Sequence, residues 1–335
     1  MPKAVLVRII AVVLAVAPAT LGLSLVPATA GPDARGTASA EIGVRSAEDI
    51  PAAVISLGDS YSSGLGAGST IDDCDRTSRA WGLTIFGSAV TDRTLLACSG
   101  AGIPEVAGQV EQLAALPRKP GTALITVTVG GNDIDFTKEI IICLTPFVSC
   151  LEREPTLTAR INDLHEPLVD LYRSIQAAAP GDEIIVGGYP LLVPDPDVRP
   201  NCSALTHLLS PAERHMIRRL GAALNDAIDG AAQEAGVLSA ASRLEEVFDG
   251  HEACDNRSGD WLYGLKFSLL SQSNRSRQNP PNADESSLPI WEYRPRWDII
   301  VSFIKASFHP NDAGQAGYAH AFERAWADRS SAWFQ

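Results

Sequence analysis

Short apolar runs alternate with helical stripes along most of this chain, and that alternation leaves few folds open. The runs are Ala53–Leu57, Thr94–Ala97, Ala123–Val129 and Glu183–Gly187, with a fifth, weaker one near Val237–Ala241. Between them, Leu157, Ile161, Leu164, Leu168, Leu171 and Ile175 recur at helical spacing. A second helix is predicted from Ser210-Pro211-Ala212-Glu213. That stretch is a capping box with proline at the first helical position, and Leu220, Leu224 and Ile228 supply its apolar stripe. Strands that alternate with helices build a mostly parallel sheet with helices on both faces.

The first thirty residues stand outside this pattern. Lys3 and Arg8 precede a long apolar stretch, and Ala28-Thr29-Ala30 is a small-x-small cleavage pattern. Residues 1–30 therefore read as a secretory signal peptide. Pro18, Pro27 and the cleavage pattern argue against an uncleaved anchor, and no other apolar stretch approaches the ~20 residues that span a bilayer. Residues 31–49 are small and polar and read as a flexible mature N-terminus. Residues 50–335 are then expected to form the folded domain.

Cleavage would carry the net charge of −13 to about −15, because only Lys3 and Arg8 leave with the signal. So acidic a chain lacks the positive footprint that nucleic acids or anionic membranes require. All six cysteines (Cys74, Cys98, Cys143, Cys150, Cys202 and Cys254) lie in the mature part. An even count in an exported chain reads as three disulfides, with fifteen connectivities open in principle. Short loops close most easily, which favours 74–98, 143–150 and 202–254. A metal site is the alternative use of cysteine. No C-x-x-C or H-x-x-x-H spacing supports one.

In an open parallel sheet, ligands bind beyond the carboxyl ends of the strands. Three stretches rich in glycine and small polar residues are expected to converge there: "GDSYSSG" from Gly58, "ACSGAG" from Ala97 and "VGGNDIDF" from Val129. Together they could set one hydroxyl among several N–H donors. A phosphate loop is not supported, because G-x-x-x-x-G-K-[ST] is absent. A nucleophile elbow is not supported either, because Gly58-Asp59-Ser60-Tyr61-Ser62 ends in serine.

A serine nucleophile at Ser60 needs a base. His309, in "SFHPNDAG", lies just before a predicted helix over Ala313–Ala327 that Asn311 or Asp312 can cap. The positive helix end disfavours imidazolium and keeps the ring neutral, as a base must be. By position alone, an ordinary helix-entry turn is the better account of His309. His165, His207, His215 and His320 sit within helical patterns, and His251 lies in a loop beside Cys254. Residues 271–296, rich in Asn, Ser and Pro, read as a long surface loop. Trp291, Tyr293 and Trp297 give that loop a second reading, as a cover over a cleft.

These blocks together resemble the GDSL or SGNH hydrolases, in particular secreted actinobacterial lipases and esterases. The resemblance spans about residues 52–325. Ser60, Gly100, Asn132 and His309 match the family's four blocks in order, and the six cysteines resemble the three-disulfide pattern of its secreted members. The resemblance implies a three-layer α/β/α sandwich around a flavodoxin-like sheet. It also implies a secreted serine esterase or lipase that forms an acyl-enzyme on Ser60, with His309 as base. The implied oxyanion donors are the Ser60 N–H, the Gly100 N–H and the Asn132 amide. Asp59 would tie down the loop rather than react.

One departure bears on mechanism. The family commonly has an aspartate three residues before the histidine, where this chain has Ala306. The resemblance to dyad members then implies that a main-chain carbonyl, that of Ala306, orients the ring. Asp298 and Asp312 are the carboxylate alternatives. The expected protein is a monomer without metal or organic cofactor, acting on ester substrates, with no nucleic-acid partner and no stable membrane anchor. A carbohydrate acetyl esterase or a phospholipase of the same fold is the rival enzyme. A non-catalytic secreted binding protein is the rival from another class.

Overall fold

The computed structural model describes residues 50–144, 149–202, 208–255, 258–264 and 306–329. The signal peptide, residues 31–49, the loop 271–296 and Asp298 lie outside the described residues, as does His207.

Five strands form one sheet in the order β2-β1-β3-β4-β5, and every pairing is parallel. They are β1 (Ala53–Gly58), β2 (Asp92–Leu95), β3 (Ala123–Thr128), β4 (Glu183–Gly187) and β5 (Leu238–Ser239). This is the doubly wound, flavodoxin-like order, and the order reverses at β1 and β3. The two central strands are the most buried, and all six residues of β3 are inside. Edge strand β2 is half-exposed and begins two residues earlier than the apolar run indicates. Pairing with β1 from Ala53↔Asp92 onward defines it, and Asp92 and Arg93 carry no apolar signal.

The helices in order are α1 (Ser60–Ser63), α2 (Ile103–Ala115), α3 (Phe136–Cys143) and α4 (Glu154–Asn162). They continue with α5 (His165–Ala178), α6 (Pro211–Ala235), α7 (Ala241–Phe248) and α8 (Asp312–Ala327). One group packs α2 against α5 and α5 against α6. Another packs α7 against α8 and α8 against β4. The three-layer arrangement follows.

The single stripe from Leu157 to Ile175 folds as two helices, α4 and α5, joined at Asp163-Leu164. Pro167 has no N–H to give the Asp163 carbonyl, so the ladder breaks there while the apolar face runs on. The capping box stands as the sequence indicates: Ser210 Oγ accepts from the Glu213 N–H at 3.3 Å, and Glu213 accepts from the Ser210 N–H at 2.9 Å.

The bridges are Cys74–Cys98, Cys143–Cys150 and Cys202–Cys254, the nearest-neighbour set. They close loops with sequence separations of 24, 7 and 52 residues. Loop-closure entropy alone assigns about 3.5, 2.3 and 4 kcal/mol to them in that order. Replacing both Cys202 and Cys254 by alanine should therefore lower stability more than the same change at Cys143 and Cys150. Urea midpoints of the two variants measure the difference, and equal midpoints would contradict the loop-length argument.

Candidate active site

The carboxyl end of β1 is shaped by one glycine. Gly58 has φ +123°, and a Cβ there would lie 2.4 Å from the Thr128 carbonyl oxygen of the adjacent strand. Only glycine allows both that φ and that approach. Gln109 of α2 clamps the same residue from both sides, accepting from the Gly58 N–H at 2.7 Å and donating to its carbonyl at 2.9 Å.

The chain then turns directly into α1. Ser60 is the first residue of this one-turn helix, rather than part of a plain glycine loop as its sequence surroundings imply. Asp59 is the cap, and its carboxylate is buried and shared. Oδ1 accepts from the Tyr61 N–H at 3.0 Å and from Thr128 Oγ1 at 2.8 Å. Oδ2 accepts from the Tyr189 hydroxyl at 2.5 Å. Asp59 thus ties down the turn, as the sequence reading assigns it.

Burial pushes the Asp59 carboxyl up to about 6, against the opposing pull of its three hydrogen bonds. Burial also raises the Tyr189 hydroxyl well above its ordinary value, so Tyr189 remains a donor. That hydroxyl in turn accepts the Gly131 N–H at 3.1 Å. The β1, β3 and β4 ends are thereby joined through one phenol.

His309 reaches Ser60 from across the molecule. Its Nε2 lies 2.7 Å from Ser60 Oγ, and its Nδ1 lies 3.0 Å from the Ser307 carbonyl oxygen. A carbonyl only accepts, so Nδ1 carries the proton and Nε2 presents its lone pair to the serine hydroxyl. The expected orienting group is corrected here. Among the described residues it is the Ser307 carbonyl rather than that of Ala306, which faces the His309 main-chain N–H at 3.4 Å instead. Asp312 directs its carboxylate to Arg79. Asn311 is the cap of α8, with Oδ1 accepting from the Ala313 and Gly314 N–H groups.

Asn132 follows β3. One of its two amide hydrogens goes to the Ala101 carbonyl, with Nδ2 at 2.9 Å, and the other is left for the cleft. Ser60 and His309 line that cleft beside Asn132, together with Phe136, Ile140 and Leu192. Gly100 is not among the lining residues. It sits exposed in the turn after β2 with φ +87°, next to the residue that receives the Asn132 amide. Among the described residues, no acceptor takes the Ser60 or the Gly100 N–H.

Tyr189, Gln109 and Ser307 do not stand out in the sequence as site residues. Tyr189 was discoverable, because "GGYP" follows β4 as the other blocks follow their strands. Two other clusters, His165-Glu166-Glu234 and Asp195-Asp197-His215, have ligand atoms close enough to share an ion. Neither lines the cleft, and His165 is already bonded to Glu234 at 2.9 Å.

This geometry has known counterparts. The family model of the GDSL-like lipase/acylhydrolase family matches residues 56–316. The chain belongs to that family. It is 31% identical over 259 residues to Lipase 1 of Streptomyces coelicolor, an alignment covering 75% of this chain and 89% of that protein. The crystal structure of phospholipase A1 from Streptomyces albidoflavus superposes with a TM-score of 0.63 at 26% identity, covering 82% of this chain and all of the other. The extracellular lipase from Streptomyces rimosus superposes with a TM-score of 0.60 at 26% identity, covering 82% and 99%. As a GDSL-family enzyme, the chain is a carboxylic ester hydrolase with a three-layer α/β fold. No helix among the described residues is long and apolar enough to cross a membrane.

The shifted carboxyl of Asp59 has a measurable signature. Asp59 binds its proton near pH 6 in the folded chain and near 3.8 when unfolded, so the folded state binds more protons between those values. Its stabilising contribution is complete below about 3.8 and is lost as pH rises through about 6. Asp59→Asn removes that slope. From pH 4 to pH 7 the Asn variant should gain on the wild type by on the order of 2–3 kcal/mol, measured by urea midpoints at each pH. A gap that stays constant with pH would refute the raised carboxyl.

Proposed function

We propose that this protein is a secreted serine esterase or lipase whose nucleophile is Ser60 and whose base is His309. The observation that carries the reading is the 2.7 Å approach of His309 Nε2 to Ser60 Oγ, with Nδ1 held by the Ser307 carbonyl. Ser60 Oγ attacks the ester carbonyl carbon as its proton passes to Nε2. The carbonyl π pair moves onto oxygen, and that oxyanion takes hydrogen bonds from the Ser60 N–H, the Gly100 N–H and the spare Asn132 amide hydrogen. On collapse the ester C–O bond breaks, and Nε2 returns the proton to the leaving alkoxide. Water then attacks the acyl-enzyme by the same route and frees the acid and Ser60.

Three features support this assignment. The two main-chain donors lack internal acceptors among the described residues, and Asn132 keeps one hydrogen free. The serine hydroxyl and the imidazole both face the cleft. Its apolar wall, Phe136, Ile140 and Leu192, suits the acyl chain of a lipid ester better than an acetyl group. Phospholipid is the second substrate class, favoured by the likeness to a phospholipase A1.

Export through residues 1–30, a mature domain over 50–335, and action as a monomer without a membrane anchor complete the proposal. The likeness to an extracellular lipase and the three bridges support export. A panel of p-nitrophenyl esters of rising acyl length, beside acetylated sugars and phospholipid vesicles, ranks the substrates.

Ser60→Ala should abolish ester hydrolysis and leave the thermal unfolding transition in place. A fluorophosphonate probe should label the wild type at Ser60, read by peptide mass. Labelling at Ser62 or Ser63 instead would overturn the assignment.

Asn132→Ala should lower kcat by about 10²–10³, or ~3–4 kcal/mol, as loss of one oxyanion donor does. KM should change little, because that bond tightens in the transition state. Steady-state kinetics decide it: a raised KM with kcat intact would make Asn132 a substrate-binding residue.

A further inference from the structure

The imidazole of His309 is oriented by main chain, and main chain must itself be held. The turn that carries the Ser307 carbonyl is strained. Phe308 has φ +63°, the left-handed region that a bulky side chain rarely adopts. Three features tie this turn down. The Phe308 N–H donates to the Tyr263 carbonyl at 2.8 Å, and the Tyr263 N–H donates to the His309 carbonyl at 3.0 Å. The third is a side chain: the Tyr61 hydroxyl donates to the Phe308 carbonyl at 2.9 Å, 247 residues away in sequence.

Tyr61 is also the residue after the nucleophile. Its own N–H is fixed by Asp59 Oδ1, and its carbonyl accepts the Trp81 indole N–H at 3.2 Å. Its ring lies on the imidazole, with centroids 4.9 Å apart and planes inclined by 34°. Tyr189 also packs against the phenol, with ring centroids 5.0 Å apart and planes at 85°. Burial raises the Tyr61 hydroxyl above its ordinary value, so it stays protonated and donates throughout the working pH range.

We infer that Tyr61 is a positioning residue for the dyad, joining the nucleophile turn to the histidine turn through its hydroxyl and its ring. The hydroxyl holds the strained Phe308 carbonyl, and with it the Ser307 oxygen that keeps the Nδ1 proton in place. The ring offers its π face to the imidazole, which becomes a cation during proton transfer. One side chain thus fixes the ring's angle and favours its charged form. A triad assigns both tasks to an aspartate. This inference rests on the proposed Ser60–His309 pair.

The test separates hydroxyl from ring. Tyr61→Phe keeps the ring and removes the hydrogen bond, and Tyr61→Leu removes both. Tyr61→Phe should lower kcat by roughly 10-fold with KM within about 2-fold, and it should weaken or broaden the downfield proton resonance of His309 Nδ1–H. Tyr61→Leu should lower kcat further, by roughly 100-fold. It should also move the acid limb of kcat/KM to lower pH, because the imidazolium loses its π partner. If Tyr61→Leu fails to fold, the Nδ1–H resonance and the kcat of Tyr61→Phe decide alone. Wild-type kcat together with an unchanged Nδ1–H signal in Tyr61→Phe would overturn the inference, whatever happens to its melting temperature. His309→Ala tells this failure from failure of the dyad. Activity that survives His309→Ala removes the pair and the inference with it. Activity lost in His309→Ala but untouched in Tyr61→Phe removes the inference alone.

Discussion

A single buried carboxylate holds the working end of this molecule together. Asp59 receives the N–H of its own helix turn, a hydroxyl from β3 and a phenol that follows β4. Three elements distant in sequence meet on two oxygen atoms. Burial works against the charge, and the three donors offset that cost only in part, which leaves the carboxyl near 6. A carboxylate is a better choice than an amide for this junction, because it accepts on both oxygens and competes with none of its donors.

The parallel sheet makes this junction possible. Each strand delivers its carboxyl end to the same side, where loops rather than helices meet the solvent. Helix α1, directly after β1, carries Ser60, the turn after β3 carries Asn132, and the turn after β4 carries Tyr189. Their mutual distances are set by strand spacing, which the β1–β3 and β3–β4 registers fix through every backbone pair. The histidine arrives differently. It sits on the entry to α8, anchored by Asn311, whose side chain caps the helix and donates to the Asp260 carbonyl at 2.6 Å.

Much of this was legible in the sequence, and the reasons differ by element. Strand β4 is read to the residue because a buried parallel strand is an unbroken apolar run. The serine, asparagine and histidine blocks are legible because the residue types that do such chemistry are few, and each follows a strand or precedes a helix. The disulfide pairing is legible because loop closure favours neighbours. The break between α4 and α5 is not, since the apolar face continues while a single missing N–H interrupts the ladder. The orienting carbonyl is not legible either. Ala306 and Ser307 both carry one, and only the left-handed turn at Phe308 decides which oxygen faces the ring. Tyr61 stands within the most recognisable motif of the chain, yet its partner lies 247 residues away, a separation that no local pattern encodes.

The use of main chain to orient the imidazole has a consequence for how such an enzyme can change. An orienting carboxylate is lost by one substitution. A carbonyl oxygen is common to all twenty residue types, so replacement of the Ser307 side chain leaves the acceptor in place. Mutational sensitivity is displaced from the partner itself to whatever holds the backbone there. Gly66 shows where it goes: a Cβ at that position would lie 2.6 Å from the Pro310 carbonyl oxygen and 3.2 Å from His309 Cβ. A methyl group added to a loop that performs no chemistry would press on the base directly. The robustness of the acceptor is thus matched by fragility in its neighbours.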